Sequence, residues 1–275
     1  MSSTPAADRP RRAAVLGSPI AHSRSPQLHL AAYAALGLSS WRYDRIECGE
    51  DELPGFVAGL GDEWVGLSVT MPGKFAALRC ADEATERARL VGSANTLVHT
   101  ATGWRADNTD IDGVAGALAD AGVSGSAVVV GSGGTAPAVV AGLVQLGARH
   151  VTVVARNAEK AQGMVALGRR CGATTEWVDL TGDDVTGAVA AADVVVNTVP
   201  ADAVAPYAPR LAGTPVLLDA IYDPWPTPLA AAVTAAGGRV ISGLEMLLNQ
   251  AFAQVEQFTG MPAPQKAMRG ALGLA

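Results

Sequence analysis

The most restrictive feature of this chain is a repeated pattern: a short, mostly apolar run, a turn of small residues, then a helical stretch. Residues 127–130, 151–155, 194–198, 216–220 and 239–241 read as such runs, with helical patterns over 135–146, 158–170 and 228–236 between them. Strands that are apolar on both faces are buried on both, which points to a parallel sheet with helices on either side. Residues 13–17, 41–48, 65–70 and 96–100 are strand-like in the first half, where helices are expected over 25–37, 51–60, 74–91 and 111–121. A long amphipathic helix over 243–259 follows the last strand. At 275 residues the chain is long enough for two cores. The expected architecture is therefore two-domain α/β, with the cleft between the domains as the default site.

Composition removes several function classes. Net charge is −6, which argues against a general nucleic-acid binder. Cys48, Cys80 and Cys171 are widely spaced, so neither a disulfide framework nor a zinc cluster is expected. No apolar run reaches the roughly 20 residues of a membrane span. The opening MSSTPAADRPRR lacks the apolar segment of a leader and reads as a polar tail. A cytoplasmic location follows as the default. Among 20 basic residues only Lys74, Lys160 and Lys266 are lysines, so each of them draws attention.

Gly131, Ser132, Gly133, Gly134 and Thr135 join an apolar strand to a helix. There the helix N-terminus can hold a pyrophosphate, and glycines let the backbone approach it. A tight turn without a ligand would use the same residues. The next strand ends Ala155-Arg156-Asn157, with Lys160 a turn further on. Sites for NAD place an acid at that strand end, whereas Arg156 and Lys160 suit a 2′-phosphate, so NADP is preferred. Arg156 could also merely solvate the start of a helix.

The first half carries polar clusters instead. Ser23 and Ser25 flank Arg24 before Pro26, with Ser25 read as an N-cap; two hydroxyls beside a helix start can receive a carboxylate. Thr70 ends a strand and Lys74 opens a helix, where its charge opposes the helix dipole. A lysine there serves proton transfer better than helix stability. Asn95 and Asp110 add an amide and a carboxylate, and Asp110 with Lys74 makes an acid/base pair that needs no metal. Asp110 could instead be only an N-cap. His22 is expected to orient the serine turn, and His29, His99 and His150 to be structural.

The segments GSPIAHSRSPQLH, SVTMPGK, GSANT, DNTDIDG, GSGGTA, NTVP, DAIY and GLEMLLNQAF stand in the order and spacing of one family. From about residue 13 to 260 the chain closely resembles shikimate dehydrogenase. The resemblance implies a substrate domain over 13–112, a Rossmann-like doubly wound NADP-binding domain over 113–243, and C-terminal helices over 244–275 that return to the first domain. It implies reversible reduction of 3-dehydroshikimate to shikimate with NADPH, in chorismate and aromatic amino acid biosynthesis. It assigns the substrate carboxylate to Ser23 and Ser25 with Tyr222 nearby, and the ring hydroxyls to Thr70, Asn95, Asp110 and Gln250. Lys74 becomes the proton-transferring residue. Gly131 to Thr135 take the pyrophosphate and Ala155 to Lys160 the adenosine phosphate. Ala220 and Gly243 line the nicotinamide, and Glu86 matches a cofactor-associated position.

Three departures stand out. Ser68 replaces the usual asparagine, a change expected at the rim of the site. GSGGT replaces GAGGA. Ala155-Arg156-Asn157 replaces Asn-Arg-Thr, leaving Asn157 or a backbone N–H to share the phosphate. The alternatives are a quinate/shikimate dehydrogenase, often NAD-using, and a non-catalytic protein that binds NADP or shikimate. No macromolecular partner is implied, and the expected assembly is a monomer or homodimer.

Overall fold

The computed structural model describes residues 9–274; residues 1–8 of the expected polar tail lie outside them. The chain divides into two compact units, one running to Thr109 and resuming at Gln250, the other spanning Asp110–Asn249.

The first unit contains β1 (Arg12–Gly17), α1 (Ser25–Ala35), β2 (Arg42–Glu47), α2 (Leu53–Ala58), β3 (Trp64–Val69), α3 (Lys74–Cys80), β4 (Glu83–Ala84), α4 (Glu86–Val91), β5 (Thr96–Thr100) and β6 (Gly103–Asp107). Its six strands run in the order β2-β1-β3-β5-β6-β4. β1 pairs parallel with β2 and β3, but β5 is antiparallel to both β3 and β6. The sheet is therefore mixed. A two-residue turn between β5 and β6 allows this hairpin. One core cluster includes Leu16, Leu53, Trp64, Leu67 and Leu97; a second, on Tyr33, Tyr43 and Val98, closes over Phe258.

The second unit contains α5 (Asp110–Ala117), β7 (Ser126–Val130), α6 (Ala136–Gln145), β8 (His150–Ala155), α7 (Ala158–Arg170), β9 (Thr174–Asp179), α8 (Val185–Ala190), β10 (Val194–Asn197), α9 (Ala201–Val204), α10 (Ala208–Leu211), β11 (Val216–Asp219), α11 (Pro228–Ala235) and β12 (Arg239–Ser242). The order β12-β11-β10-β7-β8-β9 is parallel at every pairing. Read from β9, it runs third, second, first, fourth, fifth, sixth, which is the doubly wound dinucleotide-binding order. The strand order reverses between β7 and β10, and ligands of such sheets sit beyond the strand ends at that crevice. Val128, Val130, Val154, Val195 and Leu217 fill the core, which is why these strands read as unbroken apolar runs.

α12 (Gly243–Thr259) begins in the second unit and ends in the first, followed by α13 (Gln265–Ala271). No helix among the described residues is long and apolar enough to cross a membrane.

Candidate active site

In the first unit the polar residues singled out above gather around the ends of β1, β3 and β5. Ser23 and Ser25 lie with their hydroxyl oxygens 3.3 Å apart. Ser25 is not the N-cap. It is the first residue of α1, with Pro26 behind it, and its own N–H donates to the Ser23 hydroxyl at 3.3 Å. Proline is tolerated at either of the first two helical positions, so the cap cannot be assigned from Pro26 alone. The Arg45 guanidinium donates to the Ser23 carbonyl at 2.9 Å, which brings a positive group to this turn. His22 is exposed beside it.

Thr70 follows β3, with its N–H donating to the Leu16 carbonyl at 2.8 Å. Lys74 opens α3 and is only 8% exposed. Its carbonyl accepts from the Ala94 N–H at 2.9 Å, which ties the helix start to the segment carrying Asn95. The Asn95 amide nitrogen donates to Gln250 at 3.1 Å and to Thr109 at 3.0 Å, and its oxygen accepts from the Thr109 N–H at 2.7 Å. That backbone donor fixes which way the amide points. Asp110 is buried and follows Thr109 directly as the first residue of α5, where a carboxylate suits the helix N-terminus.

Asp107 holds this region from behind. Its carboxylate accepts from Thr85 at 2.7 Å, from Arg87 at 2.7 and 2.5 Å, and from Gln257 at 2.7 Å. Burial would raise its pKa, but these donors and the guanidinium charge outweigh burial and hold it at about 2. Asn108 is anchored too, donating to the Ser93 carbonyl at 2.9 Å. Glu86 is exposed in the first turn of α4, where an acid complements the helix dipole.

The second unit supplies a phosphate cradle. Gly131, at φ +111°, turns the chain out of β7, and a Cβ there would collide with the Thr198 hydroxyl beyond β10. A glycine is therefore required at the crevice between β7 and β10. A Cβ on Gly133 would meet open space. Helix α6 starts without a side-chain cap, as a helix that receives an anion should. The neighbouring strand β8 ends at Ala155, and Arg156, Asn157 and Lys160 stand exposed beyond it. Asn157 uses its side-chain oxygen to cap α7 at the Lys160 N–H, 2.8 Å away, so only its amide nitrogen remains to meet a phosphate. These features fit a dinucleotide with a 2′-phosphate.

Ala220 and Gly243 come together in the same unit: a Cβ on Gly243 would strike the Ala220 carbonyl. Behind Ala220 lies Asp219, fully buried, accepting from Asn197 at 2.9 Å and from Thr227 at 2.5 Å. Burial pushes its carboxyl pKa up, against the pull of these donors. Tyr222 follows three residues after Asp219, half-buried. Among the described residues no group of three His, Cys, Asp or Glu could hold a metal ion.

Sequence reasoning missed one part of the first unit. Ser68 is buried at 4%, not at a rim, and hydrogen-bonds Tyr43 at 2.6 Å and Gln254 at 2.7 Å. His29 is fully buried, stacks on Tyr43 with ring centroids 4.0 Å apart, and reaches Gln254 at 3.3 Å. The one signal in the chain was the serine standing where asparagine is usual.

Comparison with known proteins agrees with this geometry. The model of the shikimate dehydrogenase substrate-binding domain matches residues 15–97, that of shikimate / quinate 5-dehydrogenase residues 116–205, and that of the shikimate 5′-dehydrogenase C-terminal domain residues 243–272. The shikimate dehydrogenase (NADP(+)) of Methylobacterium radiotolerans is 38% identical, covering 92% of this chain and 93% of its own. That of Microcystis aeruginosa is 36% identical, with 94% of each chain covered. The crystal structure of Mycobacterium tuberculosis shikimate dehydrogenase superposes with a TM-score of 0.92 at 68% identity, covering 96% of this chain and 99% of that one. With its two folded units, its polar strand ends and this similarity over nearly the whole length, the chain belongs to the shikimate dehydrogenase family.

Proposed function

We propose that this protein is an NADP-dependent shikimate dehydrogenase, interconverting 3-dehydroshikimate and shikimate in aromatic amino acid biosynthesis. The carrying observation is Lys74, a buried lysine at a helix start, tied through Ala94 to the Asn95–Gln250 amide pair. Burying an ammonium is costly without a purpose, and this one is held beside groups that suit ring hydroxyls.

Ser23 and Ser25 hold the carboxylate, with Tyr222 nearby. Thr70, Asn95, Asp110 and Gln250 orient the hydroxyls, so that the reacting carbon is presented in one pose. NADPH, when bound along Gly131, Ser132, Gly133, Gly134 and Thr135, supplies the hydride. Lys74 gives its proton to the oxygen that becomes the C3 hydroxyl, and Asp110 orients both. Arg156 and Lys160 meet the 2′-phosphate, and Ala220 and Gly243 flank the nicotinamide. Three free thiols accord with a cytoplasmic setting.

The decisive experiment compares initial rates on shikimate and quinate, each with NADP⁺ and NAD⁺. Shikimate with NADP⁺ should dominate; faster quinate oxidation with NAD⁺ would replace this reading, and binding without turnover would make the chain a sensor. Lys74→Ala should lower kcat by about two to four orders of magnitude with a smaller change in KM.

A further inference from the structure

Two backbone groups fix how the buried amides of the first unit point. The Thr109 N–H only donates, and it meets the Asn95 side chain at 2.7 Å, so that atom of Asn95 is its oxygen. The Asn95 backbone carbonyl only accepts, and it meets Gln254 at 3.2 Å, so that atom of Gln254 is its nitrogen. The same nitrogen lies 2.9 Å from the Thr96 hydroxyl and donates to it. Thr96 has one proton, and the Asn95 side-chain oxygen, 2.8 Å away, only accepts. The hydroxyl therefore receives from Gln254 and gives to Asn95. The far end of Gln254 agrees, since its oxygen accepts from Ser68 at 2.7 Å. The protons run one way, from Gln254 through Thr96 to Asn95.

This order has a consequence for Asn95. Its oxygen is held by two donors, the Thr109 N–H and the Thr96 hydroxyl. One bond lets the plane of an amide swing about it; two hold the plane still. The nitrogen is thereby aimed at the Gln250 oxygen, 3.1 Å away, and at the Thr109 hydroxyl, 3.0 Å away. Bonds accepted at the oxygen also make the nitrogen a stronger donor, because hydrogen bonds in series reinforce one another. An amide filled from behind in this way offers donors in front, which suits the oxygen of a ring hydroxyl. Thr96 is fully buried on β5, where valine has the same shape and an equal liking for a strand. Its hydroxyl serves these two side chains, so it acts through Asn95.

We propose that Thr96, its hydroxyl turned by Gln254, is a positioning residue that holds the Asn95 amide with its nitrogen toward the substrate hydroxyls. The inference rests on the reading that Asn95 meets a ring hydroxyl.

The test is a double-mutant cycle between Thr96→Val and Asn95→Ala, read by steady-state kinetics with shikimate and NADP⁺. Thr96→Val removes the hydroxyl and keeps the shape. It should raise KM for shikimate by about threefold to tenfold, as expected for one neutral hydrogen bond, and leave KM for NADP⁺ unchanged. Thr96→Ser should bring KM for shikimate back to within about twofold of the wild type. In the Asn95→Ala background Thr96→Val should change KM less than about twofold, because no amide is left to hold. An equal factor in both backgrounds would make Thr96 a purely structural residue and overturn the proposal. Should Thr96→Val fail to fold, Gln254→Met, which removes the donor that turns the Thr96 proton onto Asn95, takes its place in the same cycle. A KM increase that persists undiminished in Asn95→Ala then has the same force. If Asn95→Ala raises KM for shikimate and Thr96→Val does not, the proposal falls while the hydroxyl reading survives. An unchanged KM in Asn95→Ala would remove the hydroxyl reading itself, and the proposal with it.

Discussion

His29 makes the stability of this protein sensitive to mild acid. The ring is fully buried, and burial holds its pKa at about 3, against an ordinary value of 6.5; the bond to Gln254 offsets only part of this. The native state therefore keeps His29 neutral while the unfolded chain takes up a proton below about pH 6.5. Proton uptake by the unfolded state alone lowers stability as pH falls. The contribution is complete above the unfolded pKa and is lost progressively between 6.5 and 3. Each pH unit in that window is worth about 1.4 kcal/mol, so a drop to about pH 5 should remove about 2 kcal/mol. Asp107 does not interfere, because its carboxyl, at about 2 in the folded protein, and an unfolded carboxyl near 3.8 both remain ionised there. Urea unfolding at pH 7.5 and pH 5 measures the loss. His29→Phe keeps an aromatic ring between Tyr43 and Phe258 but cannot titrate, so its loss between the two conditions should be smaller by about 2 kcal/mol. Identical losses in the two proteins would refute the assignment of a neutral buried His29.

Other consequences are open to measurement. Arg156→Ala should raise KM for NADP⁺ about tenfold and leave NAD⁺ kinetics unchanged, since only the 2′-phosphate is lost as a partner. Gly131→Ala should weaken cofactor binding, read by fluorescence titration with NADPH, because a side chain there meets Thr198 and the φ of +111° disfavours any residue with a Cβ. Asp107→Asn should flatten the part of the stability profile between about pH 4 and pH 2. The wild-type carboxylate is held below its unfolded pKa, so its stabilisation is present above that value and disappears as pH falls through about 2.

Sequence legibility followed burial symmetry. β7, β8, β10 and β11 were readable because both faces of each are apolar. β9, with the sequence TTEWVD, lies at the sheet edge, and β6, GWRAD, alternates between a core face and polar groups; neither shows an unbroken apolar run. Lys74, Asn95 and the glycine turn could be identified because their residue types conflict with purely local roles. Gln254 could not. Nothing local distinguishes a glutamine on the wet face of α12 from one that is 1% exposed; the difference lies in Ser68 and Asn95, which are distant in sequence. The Ser25 cap failed for a related reason, since a serine before proline fits two adjacent helix positions equally well.

The interrupted path of the first unit also sets a timetable. Its sheet is synthesised first, yet Gln250, Gln254, Gln257 and Phe258 arrive on α12 only after the whole second unit has been made. The second unit is one continuous stretch and can fold as soon as it leaves the ribosome. The half that holds the substrate residues must wait, with the place of Phe258 beside Tyr43 unfilled, until the last part of the chain emerges. A nascent chain halted after Asn249 would therefore carry a finished nucleotide fold and an unfinished substrate pocket, and its first unit would be the part that chaperones and proteases find.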